Sequence, residues 1–485
     1  SMATDDTVAA QSGYATAPVN AQAVGYVTGD VDSALSGAIV NIGTVSGESG
    51  INIGDNGLLI ADADGSTKAT VATNTGVVHF ADVAQAAANE SVVVLGDAVQ
   101  EADVTVDNVL FKAVKGDEGF TFTMADADDL ALYGLDGFDD PGFLTETAVQ
   151  TDPASQFINS FMDQSNPHVN TANRSQQLNA AVNLATAGGV QTAAIDGVMM
   201  GMEAAAHRAS IVNDQHEGGV LFAEASGKRF EMGGSGEFGA IKADLGGIVV
   251  GGEYTTTYAW TFGALANLGT GTVRGQGNNA GVRNEVDYYG VQVYAAKRLG
   301  DFNIVSQVGY LTSSNDLTHA AAIANTADVD ANVISVGVRG EMRIAISDHA
   351  RVVPYVGVNY LRVGTDGYTT SQGVRVGDID QNLVTIPVGV KFSGTMSTDS
   401  GWQWTPSADV GYVASVGDRD VEASTIVGNA MARTTMDVWS ENVVRTGIGL
   451  KAQKNNFGVG LQAGTAFGSD DTKAVFGQVR IDYRF

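Results

Sequence analysis

The sequence predicts an all-β protein: a 12-stranded antiparallel transmembrane β-barrel with an α-helix in its lumen, preceded by a small β-rich segment. Three observations lead there. From Gly219 onward, apolar and polar residues alternate in one segment after another. The connections between these segments alternate in length, and aromatic residues collect beside the short connections.

The first 140 residues read as a separate, acidic, β-rich part. Residues 1–170 hold 25 Asp and Glu against 3 Lys, within a chain of net charge −29, whereas residues 171–485 hold 30 acidic against 23 basic groups. Two parts with different solvents are implied, and the acidic part would repel a phosphate backbone, which argues against nucleic-acid binding. Short β-rich runs at 38–42, 57–60, 76–80, 91–95 and 109–114 are separated by turn sequences such as Asp62-Ala63-Asp64-Gly65. Their spacing suits either a few rungs of a β-solenoid or an ordinary small β-domain. The clusters Asp62, Asp64, Asp126, Asp128 and Asp129, and Asp136, Asp139 and Asp140, raise calcium as a ligand. With no EF-hand loop or glycine-rich calcium repeat, they read as solvated surface and no metal is expected. Residues 141–172 carry three of the seven prolines and read as a tether, with one helical turn set at 156–162. The start, SMATDD, has neither a basic region nor an apolar core. Ser1-Met2 reads as a cloning scar, so an export signal is expected to have been left out or replaced.

Residues 173–210 are rich in Ala, Gln, Leu and Met and contain no proline, which predicts a helix, with Gly188-Gly189 as its bend or break. Small residues make it slender. A 12-stranded barrel has a narrow lumen, and a helix threaded through it needs small side chains; a connector lying outside the barrel is the alternative.

Residues 219–485 supply the barrel. In the terminal GQVRIDYRF, Val479, Ile481, Tyr483 and Phe485 share one face, and Gln478, Arg480, Asp482 and Arg484 the other. Twelve such segments occur, at 219–232, 239–254, 258–269, 285–298, 301–312, 331–346, 350–362, 382–396, 401–416, 438–452, 456–467 and 473–485. Tight turns follow the second, fourth, sixth, eighth and tenth. Longer polar loops, at 270–284, 313–330, 363–381 and 417–437, follow the third, fifth, seventh and ninth. A soluble sandwich has no reason to sort its connections this way, whereas an outer-membrane barrel keeps short turns inside and longer loops outside. Trp260, Phe302, Trp402, Trp404 and Phe457 sit just past tight turns, where an aromatic girdle belongs. Arg339, Glu341, Arg343, Asp409, Arg445, Lys451, Arg480, Asp482 and Arg484 fall on the opposite faces. Facing lipid, Arg or Lys would cost roughly 2–4 kcal/mol each at mid-depth, so all nine are assigned to a wet lumen.

The order of an N-terminal part, an Ala-rich helix, twelve strands and a terminal Tyr483-Arg484-Phe485 resembles the monomeric autotransporters of type V secretion. The likeness covers about Asn173 to Phe485. It implies outer-membrane insertion by the β-barrel assembly machinery, with help from periplasmic chaperones, which makes the last strand with Val479, Ile481, Tyr483 and Phe485 an insertion signal. It also implies a helix left in the lumen, a passenger displayed outside, and a monomer in contact with outer-membrane lipid. Some family members cut themselves at an Asn in the helix. Asn173, Asn179 and Asn183 are present without the Asn-Asn pair of those members, leaving Asn183 the least poor candidate.

No nucleophile elbow, HExxH or phosphate loop occurs, and cysteine is absent, so no enzyme and no cofactor are expected. Rival functions are a surface adhesin whose passenger binds host or neighbouring cells, a porin, or an outer-membrane phospholipase using a Ser and a His. For the last, His319 and His349 fall in loops at opposite ends.

Overall fold

The computed structural model describes residues 78–80, 83–88, 90, 92, 100–117, 119–164, 166–233, 240–320 and 325–485. Chain contacts divide it into two units: residues 1–178 with 427–432, and residues 179–426 with 433–485.

In the second unit twelve long antiparallel strands close on themselves. They are β1 (Gly218–Met232), β2 (Ile241–Thr255), β3 (Trp260–Gly275), β4 (Val282–Leu299), β5 (Phe302–His319), β6 (Asn325–Met342), β7 (Ala350–Thr365), β8 (Ile379–Gly394), β9 (Gln403–Gly417), β10 (Asn442–Lys454), β11 (Phe457–Gly468) and β12 (Lys473–Arg484). Each pairs with the next, and β12 pairs with β1, with Gln478 opposite Ser226. The seam ends in two backbone bonds between Gly219 and Phe485, of 3.1 and 2.9 Å. Closure leaves no ladder edge that hydrocarbon could not hydrate.

Side-chain direction follows from the pleat. On β4, Tyr289, Val291 and Val293 are exposed and Tyr288, Gln292 and Tyr294 buried; on β5, Ile304, Val308 and Tyr310 are exposed and Val305 and Leu311 buried. The outer surface is therefore apolar around the barrel, as lipid requires.

The structure differs from the expected loops. Residues 270–275 and 282–284 are strand, as are 313–319 and 325–330. β4, β5 and β6 each run 18 residues, where about 9–11 suffice to cross hydrocarbon. Above the apolar band the alternation continues with Glu285, Asp287, Asp316, Asp328 and Asp330 outward, and Asn284, Val286, Asn315, Ala327 and Val329 inward. These segments pair in water rather than lipid, so their outward faces are polar and read as loop. The loops at 363–381 and 417–437 are structured too. Tyr368–Thr369, Arg375–Val376, Asp420–Val427 and Ala430–Asp437 form a four-stranded sheet.

The stretch from 174 to 208 is helical in three pieces, α1 (Arg174–Val182), α2 (Leu184–Ala187) and α3 (Val190–Arg208). One break falls at Asn183, which the sequence did not suggest, and the other at Gly188-Gly189. Gly189 has φ +64°, in the left-handed region, and a Cβ on Gly188 would stand 2.2 Å from Leu317 Cδ2. Glycine is what lets the chain turn there against the wall.

In the first unit, residues 101–162 mix short strands with capped helices, where solenoid rungs or a small β-domain were expected. Val78–Phe80 pairs in parallel with Val104–Val106, and Phe111–Gly116 pairs with Gly119–Met124. Phe80 packs edge-on against Phe122 at 5.0 Å, over a core that includes Leu110, Phe143, Leu144 and Ile158. The expected tether holds two helices, Pro141–Ala148 and Pro153–Met162, each with Pro in the first turn and an aspartate N-cap, Asp140 and Asp152. The acidic cluster at 126–129 is a capping box: Asp126 accepts from the Asp129 N–H and Asp129 from that of Asp126, both at 3.0 Å. Hydrogen bonds from the Lys112 ammonium hold the Asp126 carboxyl down to about 2. The runs at 38–42 and 57–60, most of 91–95, and Asp62 and Asp64 lie outside the described residues.

Candidate functional site

Among the described residues, the lumen is where the strands bring charged and amide side chains together around a threaded segment. α3 lies against β2 to β7, with Ala193, Ala194, Ala204 and Ala205 at most 2 % exposed. Ala and Gly along the helix let backbone and wall approach closely. Inward asparagines then take up carbonyls along the threaded segment, on α3, at its two ends and on α1: Asn267 Nδ2 donates to Gly197 O at 2.8 Å, Asn284 to Gly188 O at 3.0 Å, Asn303 to Ala209 O at 2.9 Å, and Asn325 to Ala181 O at 3.1 Å. The end of α3 leaves orphan carbonyls in a buried place. Arg298 adds bonds to Ser210 O at 3.1 Å and Asn213 O at 2.7 Å.

The loop half of the lumen is mostly apolar, with buried amides such as Asn284 and Asn325 set into it. Val190, Ile195 and Val198 pack with Leu245, Tyr288, Leu311, Leu317, Val333, Leu361 and Leu383, and partly buried Met199, Trp439 and Val443 join the cluster. Above α3, the Tyr368 hydroxyl accepts from Ala185 N–H at 2.8 Å, and the Thr425 hydroxyl donates to Asn183 Oδ1 at 2.7 Å.

The turn half is charged. On the helix, Glu203 pairs with Arg445 and Arg208 with Glu253; Asp196, farther along toward the loops between Ile195 and Val198, pairs with Lys228, which stands opposite Leu245. Arg480 Nε donates to Glu224 at 2.8 Å, and its guanidinium also meets His207. Glu341, almost fully buried, accepts from Ile211 N–H at 2.9 Å, Ser210 Oγ at 3.1 Å and Asn303 Nδ2 at 3.3 Å, and pairs with Arg339 at 3.0 Å. Asp482 lies 3.8 Å from both Arg208 and Lys451. Arg484 donates to Gln453 at 2.8 Å, and Asp409 accepts from Gln462 at 3.4 Å.

Strand parity gives the wall nine inward cations, Lys228, Arg298, Arg339, Arg351, Lys391, Arg445, Lys451, Arg480 and Arg484. Five carboxylates, Glu224, Glu253, Glu341, Asp409 and Asp482, face in with them. Because α3 leans toward β2–β7, a crevice remains on the β8–β12 side. One cavity there, of about 120 Å³, runs between Asp196, Glu203, Lys228, Arg445 and Trp439.

Of the nine residues assigned to the lumen from sequence, Arg343 is elsewhere. It sits past the end of β6 and pairs with Asp301 of the neighbouring tight turn at 2.9 Å, because the strand stops at Met342 and the inward–outward alternation stops with it. Sequence reasoning missed Glu253, Glu224, Lys228, Arg298, Arg351 and Lys391, all at inward positions of segments already recognised as strands, as well as the inward asparagines. On the outer face, Trp260, Phe302 and Phe457 are exposed; Trp402 and Trp404 lie half-buried 6.3 Å apart. Val479, Ile481, Tyr483 and Phe485 are exposed in one file along the last strand. Asn183 caps nothing with its side chain; its partners are Thr425 and the Asn179 carbonyl, at 3.2 Å for the latter. His319 closes β5 at the loop end and His349 lies in a tight turn at the other, so the two cannot share a site. Among the described residues no group of three or more metal-binding side chains occurs.

A family model described as the autotransporter β-domain matches residues 221–464, half of the chain. No curated protein matches. Solved structures with a similar fold include the translocator domain of the autotransporter NalP from Neisseria meningitidis, at 14% identity, covering 62% of this chain and 99% of that one, with a TM-score of 0.49. Another is the transport unit of AIDA-I from Escherichia coli, at 14% identity, covering 60% and 98%, with a TM-score of 0.46. With its closed twelve-stranded barrel and preceding helix, the chain belongs to the autotransporter β-domain family: an outer-membrane translocator, whose barrel is not itself an enzyme.

Proposed function

We propose that this barrel exports its own acidic N-terminal part and displays it at the bacterial surface, with residues 173–210 left in the lumen as tether and plug. The observation that carries this reading is the helix inside the barrel. It is bonded to the wall at Gly188, Gly197 and Ala209 and joined directly to the residues before it. A porin has no use for a segment that fills its own pore. Residues 1–140 are the passenger. Val479, Ile481, Tyr483 and Phe485 form the strand face read by the assembly machinery, the barrel works as a monomer, and the chain stays uncut at Asn183, whose described hydrogen-bond partners include no carboxylate.

Protease added to intact cells tests this. It should remove the acidic N-terminal part and spare 219–485, while passenger protected in whole cells but cleaved in lysed ones overturns the reading. Deleting 173–210 should raise single-channel conductance of the purified barrel. An adhesive role for the passenger is a further step, tested by binding of surface-displayed chain to neighbouring cells against a strain carrying 173–485 alone.

A further inference from the structure

We infer that the outer face of the barrel, around its β12–β1 seam, carries a docking site for a phosphate-bearing lipid of the outer leaflet. Cations above the apolar belt take the phosphate, and a furrow below them takes an acyl chain.

On β1 the outward file runs Leu221, Ala223, Ala225 and Gly227 before Arg229, and on β12 it is uncharged from Tyr483 to Val475 before Lys473. Both cations therefore stand where hydrocarbon ends. Beside them Lys242, Arg274 and Arg283 face outward abreast on β2, β3 and β4, each directly opposite the next in the ladder. Like charges set opposite one another destabilise a sheet. Three carboxylates on the same strand faces offset the five cations in part: Asp244 meets Arg229 and Arg274, Glu231 meets Lys242, and Glu285 meets Arg283. Exposed pairs of this kind hold weakly, so the cations stay open to a stronger acceptor. Farther round, Asp287 on β4 and Asp316, Asp328 and Asp330 on β5 and β6 face outward, with no outward cation on β5 or β6. The basic patch thus belongs to one sector of the barrel.

Below these cations the apolar belt is hollowed. Gly477, Gly227 and Gly246 stand abreast and outward on β12, β1 and β2. A Cβ on them would meet nothing nearer than 3.7, 3.9 and 3.6 Å respectively, and none of the three has a positive φ. Neither packing nor backbone geometry requires glycine there; what the three share is the side-chain volume they leave out. Exposed Val475, Val479 and Ile248 flank the hollow, and an acyl chain lying in it makes contact with its floor and sides. A phosphate matches the cations in charge and offers an arginine two oxygens at once. A lipid is the occupant that presents phosphate and acyl chain together at this depth. Because the site spans the β12–β1 seam, a docked lipid braces the junction that closes the barrel.

The purified full chain in detergent tests the inference, with lipid A carrying two phosphates, the same lipid dephosphorylated, and inorganic phosphate as probes. Native mass spectrometry reads the lipid retained, and heat-modifiable mobility reads the temperature at which the barrel opens. The diphosphorylated lipid should be retained and should raise that temperature, as any ligand of the folded state does; the dephosphorylated lipid should do neither. Lys242→Gln with Arg274→Gln and Arg283→Gln should weaken retention by about ten-fold. The charge-keeping set, Lys242→Arg with Arg274→Lys and Arg283→Lys, should restore most of it. Gly227→Leu with Gly246→Leu fills the furrow and should weaken retention by about three-fold with every cation in place. Mobility without lipid shows that each barrel has assembled, and Gly227→Ala with Gly246→Ala replaces the leucine pair if that does not. Equal retention by the wild type and the glutamine set, equal retention of the two lipids, or inorganic phosphate that displaces the lipid overturns the inference. A filled furrow that retains lipid as the wild type does overturns the furrow as its seat.

Discussion

The two halves of the lumen hold one helix by different physics. In the loop half, Val190, Ile195 and Val198 meet a continuous apolar wall from β2 to β8, with Leu311, Val333, Leu361 and Leu383 without exposed surface. In the turn half, Glu203 and Arg208 meet charges, and the wall supplies Glu253, Glu341, Arg445 and Arg480. Apolar packing is strong and indifferent to small shifts along the helix axis. Buried ion pairs add little net stability, because desolvation offsets attraction, but each is satisfied in only one position. The loop half thus seals and the turn half sets how far the helix is drawn through.

The largest break in this comparison comes from Glu341. Glu341→Ala would strand Arg339, Ser210 and the Ile211 N–H in a place that water reaches poorly, and losing one partner of a buried pair costs about 3–5 kcal/mol. Urea titration followed by the heat-modifiable gel shift should show that loss. Replacing both partners, as in Arg339→Leu with Glu341→Leu, should recover the part due to the stranded Arg339, while the Ile211 N–H and Ser210 stay without their acceptor. A double variant as weak as Glu341→Ala would mean that the pair supplies stability rather than position.

Next in size is a break in the seal. Gly188→Val places a branched side chain where a Cβ alone would stand 2.2 Å from Leu317 Cδ2 and 2.9 Å from Leu184 O. Overpacking of this kind costs about 1–3 kcal/mol. The expected result is a lower urea midpoint and a higher frequency of open-channel events. Unchanged conductance would show that the seal lies elsewhere.

These two positions also show what the sequence could and could not reveal. Gly188-Gly189 was legible as a break because glycine in a helix interior is costly unless the backbone needs it. The break at Asn183 was not, because its cause is the wall and the loop sheet, through Thr425 and Tyr368, which lie some two hundred residues away. The strands were legible wherever lipid enforces the alternation. They were lost above the bilayer, where Asp316, Asp328 and Asp330 replace the outward apolar residues although pairing continues. Glu341 was legible by parity, and so was Arg445. Arg343 failed because parity is informative only inside an unbroken strand. In the N-terminal unit, Asp140-Pro141 and Asp152-Pro153 were helix starts that a count of prolines mistook for a tether.

A smaller effect belongs to those caps. Asp152 accepts from the N–H groups of Ala154 and Ser155, both at 3.1 Å. Asp152→Ala should cost about 1 kcal/mol, seen as faster amide exchange across 154–158 with the barrel unchanged. Exchange that stays as slow would remove the cap from the account of why 153–162 is helical.

The smallest effect concerns the loop sheet, where acid should tighten what neutral pH loosens. Asp420 and Asp437 stand at the open ends of two paired strands, Asp420–Val427 and Ala430–Asp437. The hydrogen bond that the protonated Asp420 carboxyl donates to Asp437, then burial and that neighbour's charge, push the Asp420 carboxyl up to about 6; nearby Asp470 pushes the same way and Arg419 opposes. A carboxyl raised on folding binds its proton more tightly in the folded hairpin. Its contribution is complete below the ordinary value of 3.8 and is lost as pH rises through about 6. Both groups are near water, so screening should hold the effect under about 1 kcal/mol. Protection factors for the amides of 421–436 should therefore be higher at pH 4.5 than at pH 7.5, and Asp437→Asn should flatten the difference. Higher protection at the neutral pH would reverse the sign and remove the shared proton from the account. The barrel beneath offers the internal control, since amides paired inside β4 and β5 should keep the same protection at both pH values.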